Sequence, residues 1–307
     1  MSEVILRAMI ASDFDAVAGL ICDSTNAWYR AAGKPDIFPG GPESTRLFCD
    51  VYESLDPGCC VVAEDLATGR LAGSCFYHPR PTHVSLGIMN VHPDFFGRGI
   101  ARKLLTFITD FADARRLPVR LVSSAMNLDS FSLYTRAGFV PRCAFQDMCL
   151  KVPGEGLPPV AGHLVRPARP DDVTAMSDLE FEISHIRRER DYRYFLANRD
   201  GIWQASVVEN PAGGIDGFLV SVNHPASNML GPGVMRTESQ ALALIIAQLN
   251  QHRGRSPVLL VPVDCPWLVR ELYKLGAKNV EIHFCQVRGE FAGFDGVVMP
   301  TFMPETG

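Results

Sequence analysis

A chain of 307 residues with 47% hydrophobic and 21% charged residues is long enough for two domains of average size and apolar enough to bury a core in each. A net charge of −5 with no dominant Lys/Arg cluster argues against nucleic acid as a partner, because phosphate-backbone binding needs a basic patch. Nine scattered cysteines without CxxC or Cys/His spacing argue against a metal site or a disulfide framework. Apolar runs such as LALIIA are too short for a bilayer and MSEVILRAM has no signal pattern, so a cytoplasmic protein with reduced thiols and no membrane contact is expected.

In chain order, LRAMIASDFDAV (Leu6 to Val17) reads as a short strand handing over to a helix capped near Ser12. Residues 22 to 57 are helical but broken by Gly33, Pro35, Pro39, Gly40 and Gly41. CCVVAE and LAGSCFY, separated by a Gly-containing turn, predict a hairpin. HVSLGIMNV (His83 to Val91) predicts a buried strand stopped by His92 and Pro93. Gly97, Arg98 and Gly99 then form a loop, and Ile100, Leu104, Leu105, Ile108 and Phe111 recur at helical spacing. Strand, glycine loop and helix start together make an anion site. First-turn N–H groups lack intrahelical partners, the helix dipole favours negative charge, and Arg98 and Arg102 add positive charge beside it. VRLV (Val119 to Val122) is a further strand, and in NLDSFSLYTRAGF either Asn127 or Asp129 caps a helix that Gly138 ends.

Two of these strings carry a resemblance. Val91-x-Pro93 followed by Gly97-Arg98-Gly99-Ile100-Ala101 is similar to the pyrophosphate-binding signature of the GNAT superfamily of acyl-CoA N-acyltransferases, and Asn127, Leu133-Tyr134 and Gly138-Phe139 resemble that family's second signature. The residue before Gly97 is Phe96, where the family usually has Gln or Arg, so a side-chain contact to phosphate is missing there while the backbone cradle is kept. The resemblance implies an acetyl-CoA-dependent N-acetyltransferase acting on a primary amine of a small molecule. By it, Met89, Asn90 and Val91 offer backbone groups to the pantetheine and thioester, Gly97, Arg98, Gly99, Ile100, Ala101 and Arg102 hold the pyrophosphate with Asn127 near the cofactor, and Tyr134 protonates the leaving thiolate. It also implies that residues 22 to 57 cover the acceptor site, where Trp28, Tyr29, Phe38, Asp23, Asp36 and Glu43 are candidates for binding a cationic amine, although packed aromatics and solvated acids are the favoured reading of them. No metal is expected. The strand HVSLGIMNV has no carboxylate to serve as base, which leaves His83, Ser123 and Asn127 as a water-mediated route and Glu64 as an alternative.

KVPGEGLPPVAG (Lys151 to Gly162) predicts a linker, after which the pattern restarts. LVRPARPDDVTAM echoes LRAMIASDFDAV, with Arg166 and Asp172 matching Arg7 and Asp13; a second hairpin follows, and Leu272-Tyr273 with Gly276 echoes Leu133-Tyr134 with Gly138. Gly231-Pro232-Gly233-Val234 is expected to be the counterpart of Gly97-Arg98-Gly99-Ile100, with the preceding strand largely lost and a phosphate donor removed by Pro232. The expected architecture is α/β (α+β): two tandem GNAT-like domains, each a mixed, mostly antiparallel twisted sheet flanked by helices. The first (1–151) is catalytic, 152–162 is the linker, and 163–307 is a degenerate copy. The alternative from a different class is a non-catalytic CoA-binding or interaction protein with a decayed acetyltransferase fold; the oligomeric state is open between monomer and homodimer.

Overall fold

Alternating apolar side chains fold Val4–Ala8 (β1), Cys60–Asp65 (β2), Leu71–Pro79 (β3) and Val84–Val91 (β4) into an antiparallel sheet of order β1-β2-β3-β4. The structure is a computed structural model, described over residues 3–306. The four strands belong to the first of two compact units, made of the chain up to Pro79, His83–Val119 and Phe302–Glu305. One face of this sheet carries Tyr77, whose ring meets Phe111 of helix α3 (Ile100–Asp113) with centroids 4.9 Å apart. Ile100, Leu104, Leu105, Ile108 and Ala112 repeat at helical spacing and are all buried, so α3 lies on that face by its apolar stripe. Burying those four larger side chains contributes on the order of 6–12 kcal/mol before the chain-entropy cost. The opposite face carries Phe76 and His78, which meet the ring of Tyr52 from helix α2 (Pro42–Leu55) at 4.8 and 4.7 Å. Helix α1 (Phe14–Ala31) packs beside α2, with Val17, Leu20 and Ile21 buried.

The second unit holds Arg80–Thr82 and Arg120–Thr301. Its strands are β5 (Val119–Ser124), β6 (Val140–Cys149), β7 (Leu164–Pro167), β8 (Trp203–Glu209), β9 (Ile215–His224), β10 (Ser227–Met235), β11 (Val258–Pro262), β12 (Lys278–Arg288) and β13 (Val297–Met299). They run in the order β5-β12-β6-β11-β10-β9-β8-β7, with β13 beside β10. This order exchanges the last strands of the two sequence repeats. Strand β6 ends the first repeat yet pairs antiparallel with β11 of the second, from Val258↔Cys149 to Pro262↔Phe145. Strand β12 ends the second repeat and lies between β6 and β5, pairing with β6 from Lys278↔Cys149 to Val287↔Val140. Helices α4 (Leu128–Arg136), α5 (Val173–Ser184), α6 (Glu189–Ala197), α7 (Glu238–Leu249) and α8 (Pro266–Lys274) complete the unit. Its core gathers Met148 of β6 with Leu219, Leu230, Leu244, Leu259 and Leu272 from the second repeat.

The compact units therefore part at residues 119 and 120, not at the Pro/Gly-rich stretch that separates the sequence repeats. That stretch has no regular secondary structure, as its composition predicts, but it is fixed in place. Val152 is buried and its N–H bonds to the Arg255 carbonyl at 2.9 Å, the Leu157 N–H bonds to Asn250 Oδ1 at 2.7 Å, and Lys151 Nζ reaches the Gly254 carbonyl at 2.6 Å.

The repeat itself is real at the level of side chains. Arg7 bonds Asp13 at 2.6 Å and Glu64 at 2.5 Å; Arg166 bonds Asp172 at 2.7 Å and Glu209 at 2.5 Å. Each guanidinium ties its repeat's first strand to the helix start and to the second strand, and draws Asp13 and Asp172 below the usual carboxylate range.

Cutting the chain between 151 and 163 should leave residues 1–151 with the β12 edge of β5 and both edges of β6 unpaired. Expressed alone, that fragment is expected to aggregate, while co-expression with 163–307 recovers a folded species; circular dichroism and size-exclusion chromatography of the two preparations check this.

His252 supplies a pH dependence. Its ring is buried between Asn228 (2.9 Å) and Ser221 (3.0 Å), and burial, with Arg255 nearby, pushes it down from 6.5 to about 4. Above pH 6.5 the ring is neutral whether the chain is folded or not. Between 6.5 and about 4 the unfolded chain takes up a proton that the folded ring refuses, so stability falls as the pH falls. Melting temperatures from pH 7 to 4.5 should decline, and less steeply in His252→Asn.

Candidate functional site

Strand β4 ends at Val91 and α3 begins at Ile100; the eight residues His92 to Gly99 between them build the site in unit 1. A 3-10 turn, Pro93–Phe95, buries Phe95 as an anchor, and Arg98 and Arg70 lie over its ring at 4.8 and 5.6 Å. Arg70 is held in turn by Asp94 at 3.0 Å. Gly97 and Gly99 have φ of 76° and 74°, the left-handed region that side-chain-bearing residues avoid, and a Cβ at Gly97 would meet nothing within 4 Å. The loop is thus an open cradle. The first backbone bond closed within the helix end is Lys103 N–H to the Gly99 carbonyl at 3.1 Å, so the N–H groups of Ile100, Ala101 and Arg102 point out of the helix start. Arg98, Arg102 and Lys103 are exposed around them. Lys103 Nζ turns to the Val4 carbonyl at 3.3 Å, so the open donors, the helix dipole and the exposed Arg98 and Arg102 are what suit the spot to a phosphate or pyrophosphate. Phe96 is 58% exposed and offers no polar group to it.

Met89 and Val91 are half-buried on β4, with backbone groups at the level of the loop. Within unit 1 the edge of β4 away from β3 is paired at its start, where Val84 N–H meets the Pro118 carbonyl at 2.9 Å. Asn90 points the other way: its amide donates to Ser24 (2.7 Å) and Thr25 (3.2 Å) of α1, leaving Asn90 Oδ1 buried with no hydrogen-bond partner among the described residues. Asn127 and Tyr134 stand in unit 2. The Asn127 side chain caps α4 by accepting from Ser130 N–H at 3.0 Å. Tyr134 is 6% exposed near the end of that helix, its ring 5.8 Å from Phe139, and Gly138 follows with φ of 89°.

The expected proton acceptors are otherwise engaged. His83 is buried against Ser85 at 3.1 Å, Ser123 donates to Gln286 at 2.9 Å, and Glu64 is bound by Arg7. Nor do the candidates in 22–57 assemble a cation site. Phe38 is buried and clamped at both backbone groups by Asn26 (3.0 and 3.2 Å), Asp36 pairs with Arg30 at 2.9 Å, and Asp23 and Glu43 are exposed. What the sequence did not single out is a buried cluster of Tyr52, Asp56, His78 and Glu305 on the α2 face of the same sheet. Its members are up to 253 positions apart, so no local signal announces them.

The second repeat corrects one sequence expectation. Gly231 to Val234 are not a loop: they lie inside β10, a full nine-residue strand, so the strand is kept and the loop is what is missing. Between Met235 and Glu238 stand only Arg236 and Thr237. The glycines there serve close packing, since a Cβ on Gly231 would lie 2.3 Å from the Pro300 carbonyl oxygen and one on Gly233 2.5 Å from that of Phe218. Thr237 and Gln240 cap α7 reciprocally at 3.3 and 3.0 Å, and Glu238 places a negative charge in the first turn. Alongside, β13 pairs with the end of β10 through Gly233↔Met299, Val234↔Val298 and Met235↔Val297, occupying the strand edge.

Residues 25–139 match the family model of the Acetyltransferase (GNAT) family. The whole chain shares its fold with the structure of a candidate acetyltransferase from Pyrococcus horikoshii (TM-score 0.71, 16% identity, 96% of this chain and 94% of that one). It is also similar to a GCN5-related N-acetyltransferase from Sphaerobacter thermophilus (0.65, 20%, 95% and 97%) and to a tandem GNAT protein from the clavulanic acid biosynthesis pathway (0.60, 16%, 93% and 98%). The family match lies within the first repeat, and the likeness to these structures shows that the whole chain has their two-repeat fold. A curated relative, UPF0157 protein YqkA of Bacillus subtilis, is 39% identical over 72 residues, a match that spans a fifth of that protein's length. No helix among the described residues is long and apolar enough to cross a membrane.

The two helix starts should differ in anion affinity. Titrating pyrophosphate into the labelled protein is expected to shift the amide resonances of 97–102 and leave those of 237–240 in place, and Gly99→Glu should remove the first response; equal shifts at both helix starts would contradict this assignment.

Proposed function

We propose that this chain is a tandem GNAT enzyme that transfers the acetyl group of acetyl-CoA to a primary amine of a small molecule, with one cofactor site, formed by the first repeat. The observation that carries the reading is the open cradle at 97–102, set at the end of β4 with Arg98 and Arg102 exposed beside it. In this reading Gly97, Gly99, Ile100, Ala101 and Arg102 bind the pyrophosphate through backbone N–H groups, and the backbone of Met89 to Val91 aligns the pantetheine and polarises the thioester carbonyl. Holding thioester and amine together supplies most of the rate, because it replaces a bimolecular encounter with a positioned one. The neutral amine attacks the acyl carbon, the C–N bond forms, the C–S bond breaks with its electron pair on sulfur, and Tyr134 gives the thiolate a proton. Asn127 supports this by starting the helix that carries Tyr134.

The second repeat is assigned no cofactor. Its strand edge is filled by β13, its helix start is capped by Thr237, and Glu238 would repel a phosphate.

Thiol release from acetyl-CoA, measured across a panel of amines, tests the reading. Wild type is expected to turn over at least one primary amine, and Tyr134→Phe to lower kcat about 100-fold with CoA affinity unchanged. CoA binding without turnover of any amine would leave a binding protein instead.

A further inference from the structure

Phe302–Glu305 pack within unit 1, more than 180 residues beyond the end of its other segments. They bring in a carboxylate. Glu305 Oε2 accepts from the Tyr52 hydroxyl at 2.7 Å and lies 3.5 Å from His78 Nε2. On the far side of the ring, His78 Nδ1 is 2.8 Å from Asp56 Oδ2, and the Tyr52 ring packs edge-on against the imidazole at 4.7 Å. A carboxylate can only accept, so Asp56 places a hydrogen on Nδ1 and turns Nε2 toward Glu305. Cys75 also faces Glu305, and burial and that carboxylate together push its thiol well up; burial, then Glu305, does the same to the Tyr52 phenol. Tyr52 and Cys75 therefore stay protonated. Side-chain exposure is 1% for His78, 2% for Asp56 and 9% for Glu305, so Glu305 is the least buried of the three.

The cluster has a defined place on the acyl strand. Pairing of β3 with β4 slips between Cys75↔Met89 and Tyr77↔Leu86, so Gly87 and Ile88 bulge opposite Phe76 alone. A Cβ at Gly87 would lie 2.9 Å from His78 Nε2 and 2.9 Å from the Phe76 carbonyl oxygen. The Glu305 carboxylate and the backbone of the bulge thus adjoin the same ring nitrogen. The bulge lies about 13 Å back along the strand from Val91 at about 3.3 Å per residue. It is on the side of the phosphate cradle toward which a cofactor laid along β4 extends its acyl end.

We infer that Glu305, delivered by the C-terminal segment, is the general base that takes the proton from the acceptor's ammonium group, with Tyr52 and the Asp56–His78 pair as positioning residues. The inference rests on the amine acetyltransferase reading above. The ammonium R–NH3+ gives one proton to the Glu305 carboxylate. The freed lone pair forms the C–N bond and the C–S electron pair leaves on sulfur. The second nitrogen proton replaces the one Tyr134 gives to the thiolate, and the Glu305 proton returns to solvent. An acceptor suited to this group is a cation whose ammonium enters beside the bulge; two carboxylates with one imidazole favour it electrostatically over a neutral or anionic acceptor.

The test uses the full chain and the best amine from the panel. Glu305→Gln should lower kcat/KM about 100-fold or more and abolish its rise with pH on the acid side, while calorimetric CoA affinity stays as in wild type. Glu305→Asp should restore part of the rate together with the pH-dependent limb, and His78→Gln should shift that limb with a smaller loss of kcat. If Glu305→Gln keeps its rate within about threefold and retains the limb, the base assignment is overturned while amine transfer stands. If Glu305→Gln loses its fold by circular dichroism, Glu305→Asp decides: a folded Asp variant without the limb overturns the assignment, and one with it supports it. A wild type that acetylates no amine removes the transfer reading and this one with it.

Discussion

Strand β6 sits between β11 and β12, and most of the molecule's organisation depends on that placement. Ten residues of the first repeat, Val140–Cys149, are hydrogen-bonded on both edges to strands of the second. A strand paired on both sides has no free backbone groups to satisfy elsewhere, and its side chains must fit cores built by other segments. Met148 does so by packing among the leucines of the second repeat. The exchange welds the tail of one repeat into the sheet of the other, which is why the Pro/Gly-rich stretch after Lys151 is fixed along unit 2 instead of separating two independent bodies. The second repeat is then required for a physical reason: without β11 and β12, the strand that follows Tyr134's helix has no partners.

The two copies also show how one framework keeps or loses an anion site. Both have the fourth strand, and both have a helix after it. The difference is the linker between them and what lies along the strand edge. Eight residues with two left-handed glycines leave N–H groups open in the first copy; two residues ending in a Thr/Gln capping box satisfy them in the second. Strand β13 then takes the backbone groups of β10 that a ligand would need. A binding site at a helix start is donors left unsatisfied by the protein, and the second repeat has satisfied its own.

How much of this was legible in the sequence depends on range. The hairpins, the strand before Gly97, the helix from Ile100 and the Asn127-capped helix are local patterns, and the structure follows them within a residue or two. Gly231 to Val234 misled because glycine answers two different demands: a left-handed loop at Gly97, and close approach of a neighbouring backbone at Gly231 and Gly233. The motif string was alike; the neighbours were not. Phe38 and Asp36 fit the packing alternative, since an aromatic and an acid in a broken helical segment suit a core contact with an ion pair beside it as well as a ligand pocket.

Sequence by itself determined the repeat and the succession of strand, glycine loop and helix start at 91–105, because each is set by spacing within about a dozen positions, where helix and strand periodicity act. The tertiary structure alone decided which strands are partners and which side chains share a buried site. Nothing in the order of residues says that β12 lies beside β5, or that Glu305 meets Tyr52 across 253 positions. Loop-closure entropy changes only slowly with chain separation at such distances, so it does not select one long-range pairing over another. Selection falls to side-chain packing and to the satisfaction of buried polar groups, which exist only once the chain is folded.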